Sequence, residues 1–277
     1  HISPRVLQCL SESWAGHEFG LRKSGAAGQF KNMFPDDQSV CYVDNHLLVI
    51  NKPGGIPSQA DATQEPDVQS LCKDWIKARY QKPGAVFLAL VQRLDRNTSG
   101  LMVLARTSKA AARLSAALRE HQLQKTYLAV VEGNVQNSHG RFTDTLWKDP
   151  LERKAVAVGK GRAGARQAIM DYRVLARREQ LTLVAVQLHT GRFHQIRCQA
   201  ALHLGPLAGD RKYGSSLRLP DHRLALHCWR LELEHPVQRE RMQWQAELPA
   251  WWQQFWPQLW RDALDWPEKI FATHTPP

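Results

Sequence analysis

Residues 91–106 read VQRLDRNTSGLMVLAR, a polar loop that runs straight into an apolar strand. One carboxylate, Asp95, stands in that loop between Arg93 and Arg96. The Asn97-Thr98-Ser99-Gly100 run behind it supplies small hydrogen-bonding residues, which fix a tight loop and hold the carboxylate in place. An ordinary surface ion pair needs no such setting. A catalytic acid held by a guanidinium group does.

Working outward, Ser39–Ser58 carries two apolar runs around the turn Asp44-Asn45, and Pro53-Gly54-Gly55 ends the second run. Leu71, Trp75 and Ile76 place a helix around Gln69–Tyr80. Downstream, Thr107–Gln122 is rich in Ala and Leu, with Thr107 or Ser108 as its cap. Lys125–Gly133 alternates with the period of a strand. A long basic hairpin spans Arg153–Val174, then a strand spans Leu181–Leu188, and Thr190–Gly205 is a turn opening a helix that Gly205 stops. Residues 1–38 have no clear period and form a lead-in arm. Near the other end, Trp244–Trp266 holds six of the ten tryptophans. Trp252, Phe255, Leu259 and Leu264 have near-helical spacing, which suits packing against a sheet and, as the alternative, base stacking.

Composition narrows the class. The 277 residues are 43% apolar, enough for a sizeable core, and the net charge is +11. That excess favours a polyanionic partner, nucleic acid above all. The five cysteines are scattered and never spaced C-x-x-C, the pattern of reduced thiols in a cytoplasmic protein without a zinc motif. The longest apolar runs reach five or six residues, against about 18 for a membrane span.

Three motifs lead nowhere. GKGRAG at 159–164 fits G-x-G-x-x-G, but a strand pattern follows it and no acid stands about 20 residues on. Its Lys160 and Arg162, with Arg166, read either as phosphate contacts on a hairpin or as a solvated basic loop. His189 and His194 have no carboxylate or Cys at ligand spacing, so capping and packing explain them better than a metal. No G-x-S-x-G elbow is present.

What remains is Asp95, an aromatic residue at Tyr127, an aliphatic one at Ile196, and Arg192 and Arg197 around a helix start. An acid, an aromatic face, an aliphatic wall and guanidinium groups are the parts needed to hold a flipped-out base over a carboxylate. Four blocks carry these residues in order. They are YVDNHLLVINKPGGIPS (42–58), QRLDRNTSGLMVLART (92–107), KTYLAVVEG (125–133), and the pair TGRFHQIRCQAALHLGPLAGDRKYG (190–214) with LALHCWRLELEHP (224–236).

Over Val40–Pro236 these blocks resemble an RNA pseudouridine synthase of the RluA family. The resemblance implies that Asp95 is catalytic, Tyr127 contacts the target base, Ile196 lines the base pocket, and Arg197 pairs with Asp95. It also implies that Arg93 reaches into the RNA and helps keep the base extruded. Gln92 and Gln199 stand where the family often has His. The implied fold is α+β: a pseudouridine-synthase-like catalytic domain with a mostly antiparallel, curved mixed sheet, helices on its flanks and a central RNA cleft. The expected organisation is an arm over 1–38 without an S4-type domain, then a catalytic domain over 39–277 ending in a Trp-rich helix. The implied reaction turns uridine in ribosomal or transfer RNA into pseudouridine with Asp95 as nucleophile at C1′ or base at C2′. No cofactor, no metal and no obligatory protein partner is implied, and a monomer is expected. Two rivals stay open: a non-catalytic RNA-binding protein, which has no use for Asp95 beside Arg197, and a metal-dependent nuclease, which needs further carboxylates.

Overall fold

The computed structural model describes residues 34–254 apart from 63, 220 and 222. Its centre is β4 (Ser99–Ala105), the apolar end of the Asp95 stretch, buried along its whole length. It lies between β2 (Leu47–Lys52), antiparallel to it, and β10 (Leu226–Glu234), parallel to it. From one edge the sheet runs β1 (Val40–Val43), β2, β4, β10, β5 (Gln124–Glu132), β9 (Leu181–Leu188), β8 (Arg166–Arg178), β6 (His139–Asp149) and β7 (Lys154–Ala157). The short β3 (Ala89–Leu90) pairs with β4, and β11 (Arg241–Gln245) pairs with β10. All pairings but β4–β10 are antiparallel.

The sheet is covered on both faces at its middle. Along β5, Tyr127, Ala129 and Val131 join one apolar cluster with Leu71 and Ile76 of α1 (Val68–Arg79) and Leu114 of α2 (Ser108–Arg119). The intervening Leu128 and Val130 join a second cluster with Trp229, Leu248 and Trp252. The period of two seen in the sequence is this two-sided burial. Thr107 accepts from the Ala110 amide at 3.1 Å and starts α2, and Asp67 accepts from the Ser70 amide at 3.1 Å and starts α1.

Gly100 makes the parallel contact possible. Its φ is +110°, and a Cβ there would lie 2.3 Å from the Cys228 carbonyl oxygen, so no other residue fits. That close approach fixes the Asp95 loop above β10. Trp252 sits in the 3₁₀ turn Ala250–Gln254 and is fully buried, which is packing. Phe255, Leu259 and Leu264, and nearly all of the 1–38 arm, lie outside the described residues.

Candidate active site

Asp95, Arg93, Tyr127, Ile196 and Arg197 all line one cleft. It encloses about 2220 Å³, beyond the roughly 300–1,000 Å³ of small-molecule pockets. Eleven Lys or Arg side chains line it against three carboxylates, Asp61, Asp95 and Asp171. A long anionic ligand suits such a cleft.

The two arginines beside Asp95 in sequence are not its partners. Arg96 turns to Asp61 at 3.3 Å and to Glu65, and Arg93 is exposed along the cleft. The carboxylate bonds Arg197 instead: Nη1 donates to Asp95 Oδ2 at 3.2 Å. The same guanidinium makes a bidentate pair with Asp210, through Nε at 2.7 Å and Nη2 at 2.8 Å. Burial works against the Arg197 charge, but the Asp210 carboxylate, helped by Asp95, outweighs it and raises the guanidinium pKa. Arg197 is thus a fixed bridge between two carboxylates.

His194 completes the clasp. Its Nε2 accepts from Arg197 Nη1 at 2.9 Å and lies 3.6 Å from Asp95 Oδ2. Burial first, and then the Arg197 charge, lower its pKa to about 3. It is therefore a neutral imidazole with its proton on Nδ1, which donates to the Tyr213 hydroxyl at 3.0 Å. Tyr213 is anchored on the Ala155 peptide, accepting from its amide at 2.7 Å. Capping and packing, the sequence reading of His194, miss this role. Asp210 and Tyr213 also escaped notice, because they join Arg197 only through the fold.

The loop under Asp95 is held from below. Lys52 is fully buried, and its ammonium donates to the carbonyls of Pro53 (2.8 Å), Ile56 (2.9 Å) and Arg96 (2.9 Å). Burial lowers its pKa to about 7, and the Asp95 carboxylate opposes that fall. Ser58 Oγ donates to the Leu94 carbonyl at 2.7 Å, and the Gly55 amide donates to the Arg96 carbonyl at 2.8 Å. The Pro53–Ser58 segment is a cradle for the Asp95 loop.

Across the cleft, α3 (Gln195–His203) presents Ile196 and Arg197. The turn before it is built by Thr190 and Arg192, which bond the Gln195 side chain, and by His194 at a φ of +50°. Gln199 donates to Asp144 at 2.7 Å and so ties α3 to β6. Gln92 is buried and donates to the Leu101 carbonyl at 3.2 Å. Tyr127 is 5% exposed and lies opposite Cys228 in the β5–β10 register. Burial, then Cys228, holds its pKa well above the usual value, so it stays protonated.

The hairpin expectation needs correcting. The turn between β7 and β8 carries Lys160 and Arg162, but neither they nor Arg166 line the cleft. The Arg162 guanidinium lies 3.6 Å over the Trp147 ring instead. His189 faces the cleft and bonds Asp171 at 2.7 Å beside Arg141.

Residues 46–202 match the family model of RNA pseudouridylate synthase. Ribosomal large subunit pseudouridine synthase D of Pseudomonas aeruginosa is 35% identical over 225 residues, which cover 76% of this chain and 68% of the relative. The uncharacterized RNA pseudouridine synthase YhcT of Bacillus subtilis is 33% identical over 217 residues, with the same two coverages. Among solved structures, Human RNA Pseudouridylate Synthase Domain Containing 4 has a TM-score of 0.65 and 26% identity, covering 78% of this chain and 90% of its own. The chain belongs to the RNA pseudouridylate synthase family. It is an enzyme that isomerises uridine to pseudouridine in RNA, not a passive RNA-binding module. No helix among the described residues is long and apolar enough to cross a membrane.

Proposed function

We propose that Asp95 is the catalytic carboxylate and that the RNA is ribosomal, from the large subunit. One observation carries the first part: on the cleft floor Asp95 bonds a guanidinium that two further groups, Asp210 and His194, hold in place. The similarity to ribosomal large subunit pseudouridine synthases D supports the second. Phosphates meet the exposed cations along the cleft, and these contacts offset the few kcal/mol needed to unstack a base. Arg93 keeps the base out of the helix. Tyr127 and Ile196 form the walls of the uracil pocket, and Arg197 aims the Asp95 oxygen at the ribose. The C1′–N1 bond breaks, the uracil turns, and C5 bonds to C1′ and then gives up its proton to solvent, while N1 takes one up. The rearrangement stays within one nucleotide, so no group is imported.

Asp95→Asn tests the assignment, since the amide keeps the shape and removes the charge. Tritium release from uridine-labelled RNA is expected to vanish while RNA binding persists or tightens. Turnover not traceable to contamination or deamidation sinks the assignment. Pseudouridine mapping of ribosomal and transfer RNA in a deletion strain tests the target. Sites lost only from transfer RNA would overturn the ribosomal reading.

A further inference from the structure

Lys125 is a charge that the clasp does not use. It is 9% exposed, yet it lines the cleft. Its ammonium forms no hydrogen bond or ion pair among the described residues. It stands two residues before Tyr127 on β5, so the two side chains share a face of the sheet about 7 Å apart along the strand. In register Lys125 opposes Leu231, but its ammonium interacts electrostatically with Cys228, the residue opposite Tyr127. Cys228 is no counter-ion, because burial pushes its thiol up to about 12 and keeps the proton on sulfur.

A buried ammonium without a partner opposes folding, and such groups gather where a ligand supplies the missing charge. The RNA offers two kinds of negative charge. Phosphates fit the exposed side chains of Arg93, Lys148, Arg153 and Arg192, which also line the cleft. Lys125 lies on the floor beside the proposed uracil pocket, where the base itself becomes negative. When C1′–N1 breaks, the electron pair leaves with the uracil and spreads over N1 and the two carbonyl oxygens.

We propose that Lys125 bonds a carbonyl oxygen of the extruded uracil and stabilises the negative charge that the base takes up as C1′–N1 breaks. This rests on Asp95 being the catalytic carboxylate. The interaction strengthens only as charge develops, so it raises the rate of the bond-breaking step rather than the affinity for RNA.

The test compares Lys125→Met, Lys125→Arg and Asp95→Asn in the full chain, by single-turnover tritium release, RNA binding and thermal melting. Lys125→Met is expected to slow release about 100-fold or more. Its RNA affinity should stay within about threefold, since phosphate contacts dominate binding. Its melting temperature should hold or rise, because a buried unpaired charge has gone. Lys125→Arg should recover much of the rate. A wild-type rate in Lys125→Met overturns the proposal, as does a tenfold loss of affinity with the rate kept, which would make Lys125 a phosphate contact. Lower melting in both Lys125 variants with their rates unchanged would mark a structural residue and also overturn it. If Asp95→Asn turns over, the underlying site assignment fails instead, and that failure is separately visible.

Discussion

The cleft floor and the turn joining β7 to β8 both present arginine, and they use it in opposite ways. On the floor, the Arg197 side chain is 12% exposed and meets Asp210, Asp95 and His194. On the turn, Arg162 is exposed and lies over the Trp147 ring. A guanidinium enclosed by two carboxylates has one geometry open to it, whereas one resting on an indole at the surface has many. Local basicity was therefore a poor guide to the site. Burial with fixed partners is what distinguishes the two regions.

Arg197→Met should sharpen that contrast most. Asp95 loses its bonded partner, and turnover is expected to fall about 100-fold or more, as when a preorganised donor is removed. The Asp210 side chain, 1% exposed, is left as a buried carboxylate without its guanidinium, a change that costs about 3–5 kcal/mol. Adding Asp210→Asn should return much of the stability and none of the turnover. Urea melts and tritium release on the same preparations separate the two effects. If the single variant melts normally, the clasp is looser than its distances indicate.

Lys52→Met comes next. Its ammonium is the donor for three carbonyls, two in the Pro53–Ser58 cradle and one in the Asp95 loop. Each unmet buried acceptor costs about 1–3 kcal/mol, with some relief from water, so a loss of about 2–5 kcal/mol is expected. The opposite sign is expected for Lys125→Met, where nothing among the described residues loses a partner. Two buried lysines with opposite responses would separate a structural ammonium from a functional one. Equal losses of stability would remove that distinction.

How much of this was legible in advance follows from where the information sits. Leu181–Leu188 was readable as β9 because five of its eight residues are buried, giving a continuous apolar run. β6 was not, since its half-exposed HGRFTDTLWKD has no apolar run to mark it. α1 followed from apolar spacing, and α2 from composition and its Thr107 cap, whose oxygen lies three residues from the amide it accepts. The site was legible only through its blocks. Asp95 and Arg197 are 102 residues apart, and nothing local in either stretch points to the other. His194 and Asp210 were hidden for the same reason: a neutral imidazole acting as acceptor and a second carboxylate gain meaning only once Arg197 lies between them. Asp95 sits among arginines in sequence, but the one that matters comes from α3.

The smallest effect is expected at the hairpin. Removing a Lys or Arg that touches phosphate reduces the salt slope of RNA binding by about one unit. Replacing Arg93, Lys148 and Arg192, three exposed cations of the cleft, by Ala should therefore flatten the slope by about two to three units. Replacing Lys160, Arg162 and Arg166 by Ala should change it by less than about half a unit, because none of them lines the cleft. Stability should barely move either, since an exposed cation–π contact such as Arg162 on Trp147 contributes about 0.5–1 kcal/mol. Anisotropy titrations over a range of salt, on both triple variants and the parent, measure the difference directly. General loss of positive charge lowers affinity for any polyanion to some degree, so the slope, which reports phosphate contacts, is the sharper quantity. A hairpin variant that flattens the slope by a full unit or more would run the RNA past Trp147 as well as through the cleft. The contrast between floor and turn would then be one of catalysis alone, and not of binding.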